Sequence, residues 1–260
     1  MAYALAPMAD RDDIVRFMSD LLEARAYPDI LPIGLQVSGS RNVSRLASGV
    51  SASLELFERA AAEGADMVLV HHGLFVGSGP RPPLSEPEKL RLKALFDHDL
   101  SLVAYHLALD AHPEVGNNAI LCERLGIGDL EPFGQEGPRT IGFIGRLSPP
   151  STIGELVDRV REHVTPAPLV FRDGPHVVDR VAVISGSASG YIHAAADAGA
   201  DCFITGEPKE PAMADAREAG IHFVAAGHYC TEVFGVKALG ERVAERFGVD
   251  HVFVDIPNPI

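Results

Sequence analysis

The sequence predicts an α/β protein made of two similar α/β subdomains with parallel or mixed sheets, related by internal duplication. Three observations predict it. First, "VSRLASGVSASLELFERAAAEGAD" (43–66) and "VDRVAVISGSASGYIHAAADAGAD" (178–201) align without a gap, with identities at Val43, Arg45, Ala47, Ala60, Ala61, Gly64, Ala65 and Asp66. Second, each copy reads as a strand, a small-residue turn, an Ala-rich helix and a Gly-Ala-Asp link into a further strand, "MVLV" or "CFIT". Third, 260 residues, 47% of them hydrophobic and 22% charged, can bury a sizeable core as one large domain or two small ones. Repeated units of this kind favour sheets with helices on both faces.

The remaining elements follow in order. "DRDDIVRFMSDLLEA" is an amphipathic helix with Asp10 as its cap. "SEPEKLRLKALFDHD" is a second, opened by Ser85, Pro87 and Glu88. "GNNAILCERLG" starts a third, capped by Asn117 or Asn118, and "STIGELVDRVREHV" a fourth, opened by Ser151. The stretch from about Gly126 to Pro138 reads as a loop, and it divides the chain into subdomains 1–130 and 131–260. "ERVAERFGVDHVFVDIPNPI" closes with a helix and a strand.

Composition excludes several classes. A formal charge of -14 argues against a nucleic-acid surface, which needs Lys and Arg to neutralise phosphates. No apolar stretch approaches the ~20 residues that span a membrane, and "MAYALAPMADRDD" lacks the basic start and apolar core of a signal peptide. Cys122, Cys202 and Cys230 are scattered, with no CxxC, which suits a reducing cytoplasm. There is neither a phosphate loop nor a GxGxxG fingerprint. In "GSASG" the central residue is Ala188, so it is no nucleophile elbow.

With 11 histidines and 36 acidic residues, metal chemistry is where the pattern leads. His71 and His72 end an apolar strand. His106 follows another, with Asp110 four residues on, and His228 with Glu232 repeats that spacing in the second half. If the chain enters a helix there, residues four apart share a face and can share a ligand; if not, the spacing alone gives no convergence. Sites in such folds lie outside the carboxyl ends of the strands. Each residue also has a bland reading, Asp110 as a helix cap, Glu232 as a surface acid, His106 as a backbone donor. The matching placement in both halves favours metal. Six nitrogen and oxygen donors exceed one zinc site and suit two first-row ions about 3.5–4 Å apart. Zn, Mn, Fe, Co and Ni all fit mixed imidazole and carboxylate ligation. His98, His112, His163, His176, His193, His222 and His251 read as surface or packing residues, with His112 close enough to stand behind the ligands.

"ADMVLVHHGLF", "VAYHLALDAHPEVGNNAI", "GADCFITGE" and "AGHYCTEVFGVKALGE" resemble the signature blocks of the Nif-three-like dinuclear-metal family, whose members carry the name GTP cyclohydrolase I type 2. The likeness covers nearly the whole chain and matches the family's short form. One departure is "LPIGLQVSG", where Leu31-Pro32 replaces an Asp-Asn pair, so polar contacts in that loop are in question.

The resemblance implies two interlinked subdomains and two divalent ions held by His71, His72, Asp110, His228 and Glu232, with Glu232 bridging. His106 stands as ligand or just behind the ligands. It also implies a ring-shaped homohexamer and a nucleotide substrate. On the family's reaction a metal-activated hydroxide opens the guanine ring of GTP at C8, and His106 or His112 moves protons. Arg81, Arg146 and "SGSASG" are the candidates for the triphosphate. The alternative is a metal-handling or scaffold protein without turnover, which needs the same ligands but no open coordination position.

Overall fold

Asp10 opens the chain's first helix as its spacing predicts: its carboxylate accepts from the N–H groups of Asp12 and Asp13 at the start of α1 (Arg11–Leu21). The computed structural model describes residues 8–77 and 83–260. Ahead of α1 lies β1 (Ala9–Asp10), and after it come β2 (Gly34–Val37) and β3 (Asn42–Val43), which pairs with β1. The first copy of the repeat then forms β4 (Arg45–Ser51), α2 (Leu54–Ala62) and β5 (Met67–His72). Helix α3 (Glu86–Asp97) follows, with the Ser85–Glu88 capping box, and leads into β6 (Ser101–Ala104). β4, β5 and β6 run parallel, β2 closes one edge antiparallel to β6, and the strand Asp250–Phe253 returns to close the other beside β4. α2 turns Leu56, Phe57 and Ala60 into a core with Val68, Val70, Leu102 and Ala104. Each fully buried Leu or Phe there contributes roughly 1.5–3 kcal/mol.

The second copy repeats the plan. After α4 (Leu107–Ala111) and α5 (Asn117–Leu125), the hairpin β7 (Ile127–Glu136) and β8 (Arg139–Thr152) leads to α6 (Ile153–His163) and β9 (Leu169–Arg172). Then β10 (Val177–Val183), α7 (Ile192–Asp197) and β11 (Cys202–Thr205) form the repeat, followed by α8 (Ala212–Ala219), β12 (His222–Ala225), α9 (His228–Phe247) and β13 (Asp250–Phe253). The six-stranded sheet has the order β7-β8-β10-β11-β12-β9, parallel at its centre and antiparallel towards both edges.

The identities in the repeat have a cause. Asp66 Oδ2 accepts from the backbone N–H groups of Ser44 and Arg45 and from Ser44 Oγ, where β4 begins. Asp201 Oδ2 accepts from the N–H groups of Asp179 and Arg180 in β10. In both halves the aspartate's own N–H donates back to the arginine carbonyl, and its carbonyl receives the next parallel strand through Ser101 or His222. One Asp therefore sets the register of three strands.

Three expectations are corrected. The stretch Gly126–Pro138 is not a loop but all of β7 and the turn after it; β7 is an edge strand, where a proline such as Pro132 is tolerated. A boundary at residue 130 would cut through that strand. The chain divides instead into Met1–Leu109 with Val236–Ile256, and Asp110–Gly235 with Pro257–Ile260, so it passes to the second unit and back. The helix starts move too: α5 is capped by Gly116, and α6 by Thr152, whose hydroxyl accepts from Glu155 N while Glu155 accepts from Thr152 N. Asn117, Asn118 and Ser151 are thus not caps. Among the described residues no helix is long and apolar enough to cross a membrane.

Candidate metal centre

The donors of the first unit stand at the carboxyl ends of β5 and β6. His71 is fully buried and His72 half-buried, the last two residues of β5. Gln36 Oε1 accepts from Leu74 N and so fixes the chain just beyond them. The rings of His71, His72 and His106 lie 4.8, 4.9 and 5.7 Å apart between centroids, tilted by 55–58°. Each of the three offers a ring nitrogen, and these lie within 4.8 Å of one another.

Every Nδ1 in this set is already engaged. His71 Nδ1 meets the Tyr105 carbonyl at 3.0 Å, His72 Nδ1 meets Ser51 Oγ at 2.9 Å, and His106 Nδ1 meets Asp29 Oδ1 at 3.0 Å. A carbonyl cannot donate, so His71 carries its proton on Nδ1 and a lone pair on Nε2. Burial opposes ionisation of Asp29, but the His106 hydrogen bond and charge, with the N–H groups of Leu31 and Leu107, hold its carboxyl below the usual range. Asp29 is a residue that sequence reading missed. Its only signal was an acid in "YPDILPIGL", the loop that departs from the family pattern, where Asp29 and Gln36 make the polar contacts.

The second unit is richer in carboxylates. α9 does begin at His228, so His228 and Glu232 share a face: His228 Nε2 lies 3.2 Å from Glu232 Oε2, and His228 Nδ1 lies 3.4 Å from Glu207 Oε1. The Glu232 hydrogen bond raises the His228 pKa against the opposing effect of burial, and the charges of Glu232 and Glu207 add to it. Glu207 was not among the candidates, although it stands at the repeat position of His72. Asp110 is buried; its Oδ1 accepts from Asn117 Nδ2 at 2.8 Å and Ser185 Oγ at 2.9 Å, which fixes the carboxylate's rotation. Asn117 Oδ1 also accepts from Gly235 N inside α9. Gly186 has φ +62, and a Cβ there would overlap Glu232 Oε1, so only glycine suits this turn. Asp110, His228 and Glu232 all belong to donor groups able to hold a metal ion.

The other candidates fall elsewhere. His112 Nδ1 accepts from the N–H groups of Glu114 and Val115 at 3.1 Å, which puts its ring proton on Nε2. Arg146 is paired with Asp179, and Arg81 lies outside the described residues. The "SGSASG" turn is tied into the second unit: Gly186 N donates to Thr231 Oγ1 and Ala188 N to Thr205 Oγ1. Burial pushes the Cys122 thiol up to about 12 and the Cys202 thiol higher still. The donors are thus imidazoles and carboxylates, a set that fits first-row divalent ions.

Known proteins share this arrangement of sequence and fold. A GTP cyclohydrolase 1 type 2 homolog of Allochromatium vinosum is 44% identical over 255 residues, 98% of this chain and 99% of that protein. The solved structure of protein ybgI, described as of unknown function, superposes with a TM-score of 0.91 at 39% identity, covering 97% of this chain and 100% of that one. TTHA1606 from Thermus thermophilus superposes with a TM-score of 0.88 at 37% identity, over 97% of this chain and all of its own. The family described as Duf34/NIF3 (NGG1p interacting factor 3) matches residues 9–259, and the chain belongs to it.

Proposed function

We propose that the protein binds two divalent metal ions through His71, His72, Asp110, His228 and Glu232, with Glu232 bridging, and acts as a hydrolase resembling GTP cyclohydrolase I type 2. The observation that supports this most is the state of the donors. His71 is held with its lone pair on Nε2, while Asp110 and Glu232 are only 6% and 3% exposed. Carboxylates this buried carry a desolvation cost that a bound dication offsets. The name of the 44%-identical relative supports a guanine nucleotide as substrate.

Bound divalent ions supply Lewis acidity and bring the pKa of coordinated water towards neutrality. The chain's own residues do the rest. Asn117 and Ser185 orient Asp110, and Glu207 and Glu232 orient His228. His106, steadied by Asp29, and His112, with its proton on Nε2, carry protons to and from the ring that opens. The reaction is hydrolytic opening of the guanine ring at C8 to a formamide. Ring-shaped self-assembly into a hexamer belongs to the same reading, and light scattering that shows a monomer at micromolar concentration would count against it.

The deciding experiment loads purified protein with Zn, Mn, Fe, Co or Ni in turn, counts ions by elemental analysis, and assays GTP beside other nucleotides and phosphoesters. Two ions per chain with turnover of GTP is expected. Two ions and no turnover of any substrate favours metal handling, and no more than one ion sinks the dinuclear reading.

A further inference from the structure

We propose that Lys209 and Ser187 hold a phosphoryl group of the substrate in front of the carboxylates of the second unit. The proposal rests on the reading of the substrate as a nucleotide, and it names the residues that meet its phosphate.

The backbone brings both residues to the donors. Beyond the carboxyl end of β11, the N–H groups of Gly206 and Glu207 both donate to the Gly186 carbonyl. Lys209 N then donates to Ser189 Oγ at 3.1 Å, so segment 206–209 lies clasped along the turn 186–189. Glu207 Oε1 is 3.4 Å from His228 Nδ1. Two residues span at most about 7 Å of chain, so the Lys209 ammonium, on its four-carbon stem, can reach the space in front of that carboxylate. Ser187 directly follows Gly186, where a Cβ would sit 3.3 Å from His228 Nε2.

Both residues are left unengaged. Gly186 N is taken by Thr231 Oγ1 and Ala188 N by Thr205 Oγ1, both threonines being fully buried. Ser187 between them is exposed, and neither its N–H nor its hydroxyl has a partner among the described residues. Of the second unit's cations, Arg146, Arg161, Arg180 and Arg217 are paired with carboxylates, and Arg159 donates to the Leu125 carbonyl. Lys209 and Arg172 have no such partner among the described residues. Arg172 pairs across to His222 at the amino end of β12, the far end of the strand from the donors, which leaves Lys209 on the side of the site. On a chain of formal charge -14, an anion approaching Asp110, Glu207 and Glu232 needs a counter-charge, and Lys209 supplies one. Lysine binds phosphate as a point charge, and the N–H and hydroxyl of Ser187 add two donors for its oxygens.

The test is equilibrium dialysis of metal-loaded protein against GTP and against guanosine, with free zinc held constant by a metal buffer. Lys209→Gln should weaken GTP binding by about 10-fold and Lys209→Arg should restore most of it, while Ser187→Ala should cost about 3-fold. Guanosine, which lacks the phosphates, should bind all four chains alike. The loss in Lys209→Gln should shrink as salt is raised, because exposed charges are screened. GTP affinity that is unchanged in Lys209→Gln or in Ser187→Ala, or guanosine weakened as much as GTP, overturns the proposal. Should the unaltered chain bind no GTP, inorganic tripolyphosphate decides. Binding that Lys209→Gln weakens keeps the phosphate site and refutes the nucleotide substrate; no binding, or binding that Lys209→Gln leaves unchanged, overturns the site.

Discussion

At the end of β5 stand His71 and His72; at the corresponding end of β11 stand Gly206 and Glu207. The scaffolds beneath them are alike, each with an aspartate, Asp66 or Asp201, that ties the start of one strand to the start of the next two. The strand ends are unlike. The first unit offers imidazoles whose Nδ1 atoms are engaged, and the second offers carboxylates packed against one histidine. The shared aspartates act at the amino ends of the strands, while the side chains at the carboxyl ends differ between the two copies. A duplicated fold can thus supply nitrogen donors from one copy and oxygen donors from the other.

The largest effect should come from removing an oxygen donor. Hard ions such as Mn(II) depend on carboxylates, borderline ions much less so. Glu232→Ala should therefore weaken Mn(II) binding by more than about 100-fold and zinc binding by less. His71→Ala, which removes an imidazole donor, should cost Mn(II) less than Glu232→Ala does and weaken zinc more. Titration of Mn(II) followed by its spin-resonance signal reads this directly; equal Mn(II) affinity in Glu232→Ala and the unaltered chain would break the division of labour.

Next come the scaffold aspartates. Asp66→Ala strips a carboxylate oxygen from two backbone N–H groups and a hydroxyl, Asp201→Ala from two N–H groups. At about 1 kcal/mol per bond, more where a buried donor is left unsatisfied, Asp66→Ala should cost about 3 kcal/mol and Asp201→Ala about 2. Urea denaturation of the metal-free chain checks the order. A negligible loss in both would mean that register is set elsewhere.

The aspartates explain what was legible in the sequence. Arg45 with Arg180 and Asp66 with Asp201 stand in aligned copies, because the strand starts they join are the same in both halves. His-x3-acid was legible because four residues make one helical turn, and the chain does enter α4 and α9 there. Asp29 was not, since a contact across 77 residues leaves no periodic trace. The β7–β8 hairpin was hidden by Pro132, Pro138, Pro149 and Pro150, which local reading takes for loop and helix start. Pro132 lies on the edge strand, and Pro149 and Pro150 fall in the register shift between β8 and β10. Thr152 outdid Ser151 as the cap because Glu155 lies three residues beyond it and completes the box.

Gly199 (φ +78) and Gly186 (φ +62) both sit in the left-handed region, where a side chain costs about 1–2 kcal/mol. Nothing lies within 4 Å of a Cβ at Gly199, whereas one at Gly186 would overlap Glu232 Oε1. Both alanine variants should lose comparable backbone stability in urea, but only Gly186→Ala should also weaken metal binding, by about 10-fold. If the two bind metal alike, Glu232 has room to move and its placement is not set by this turn.

The smallest expected effect is on pH, and it divides the units by sign. His228 in the second unit has a raised pKa, through the Glu232 hydrogen bond first. Its stabilising contribution is complete below its unfolded value of about 6.5 and is lost as pH rises through the folded value. Asp29 in the first unit is lowered: burial works against this, but His106 and the N–H groups of Leu31 and Leu107 outweigh it. Its contribution is complete above the unfolded value of about 3.9 and is lost as pH falls through the folded one. In the metal-free chain the second unit's pair should therefore weaken on the alkaline side and the first unit's on the acid side. His228→Gln should flatten the loss of stability above neutrality, and Asp29→Asn should flatten the loss in acid. Zinc should reverse the alkaline trend, because ligation needs His228 deprotonated and so gains as pH rises. Urea midpoints across pH, with and without zinc, read all three; an alkaline slope that His228→Gln leaves unchanged would show that His228–Glu232 does not hold the folded chain.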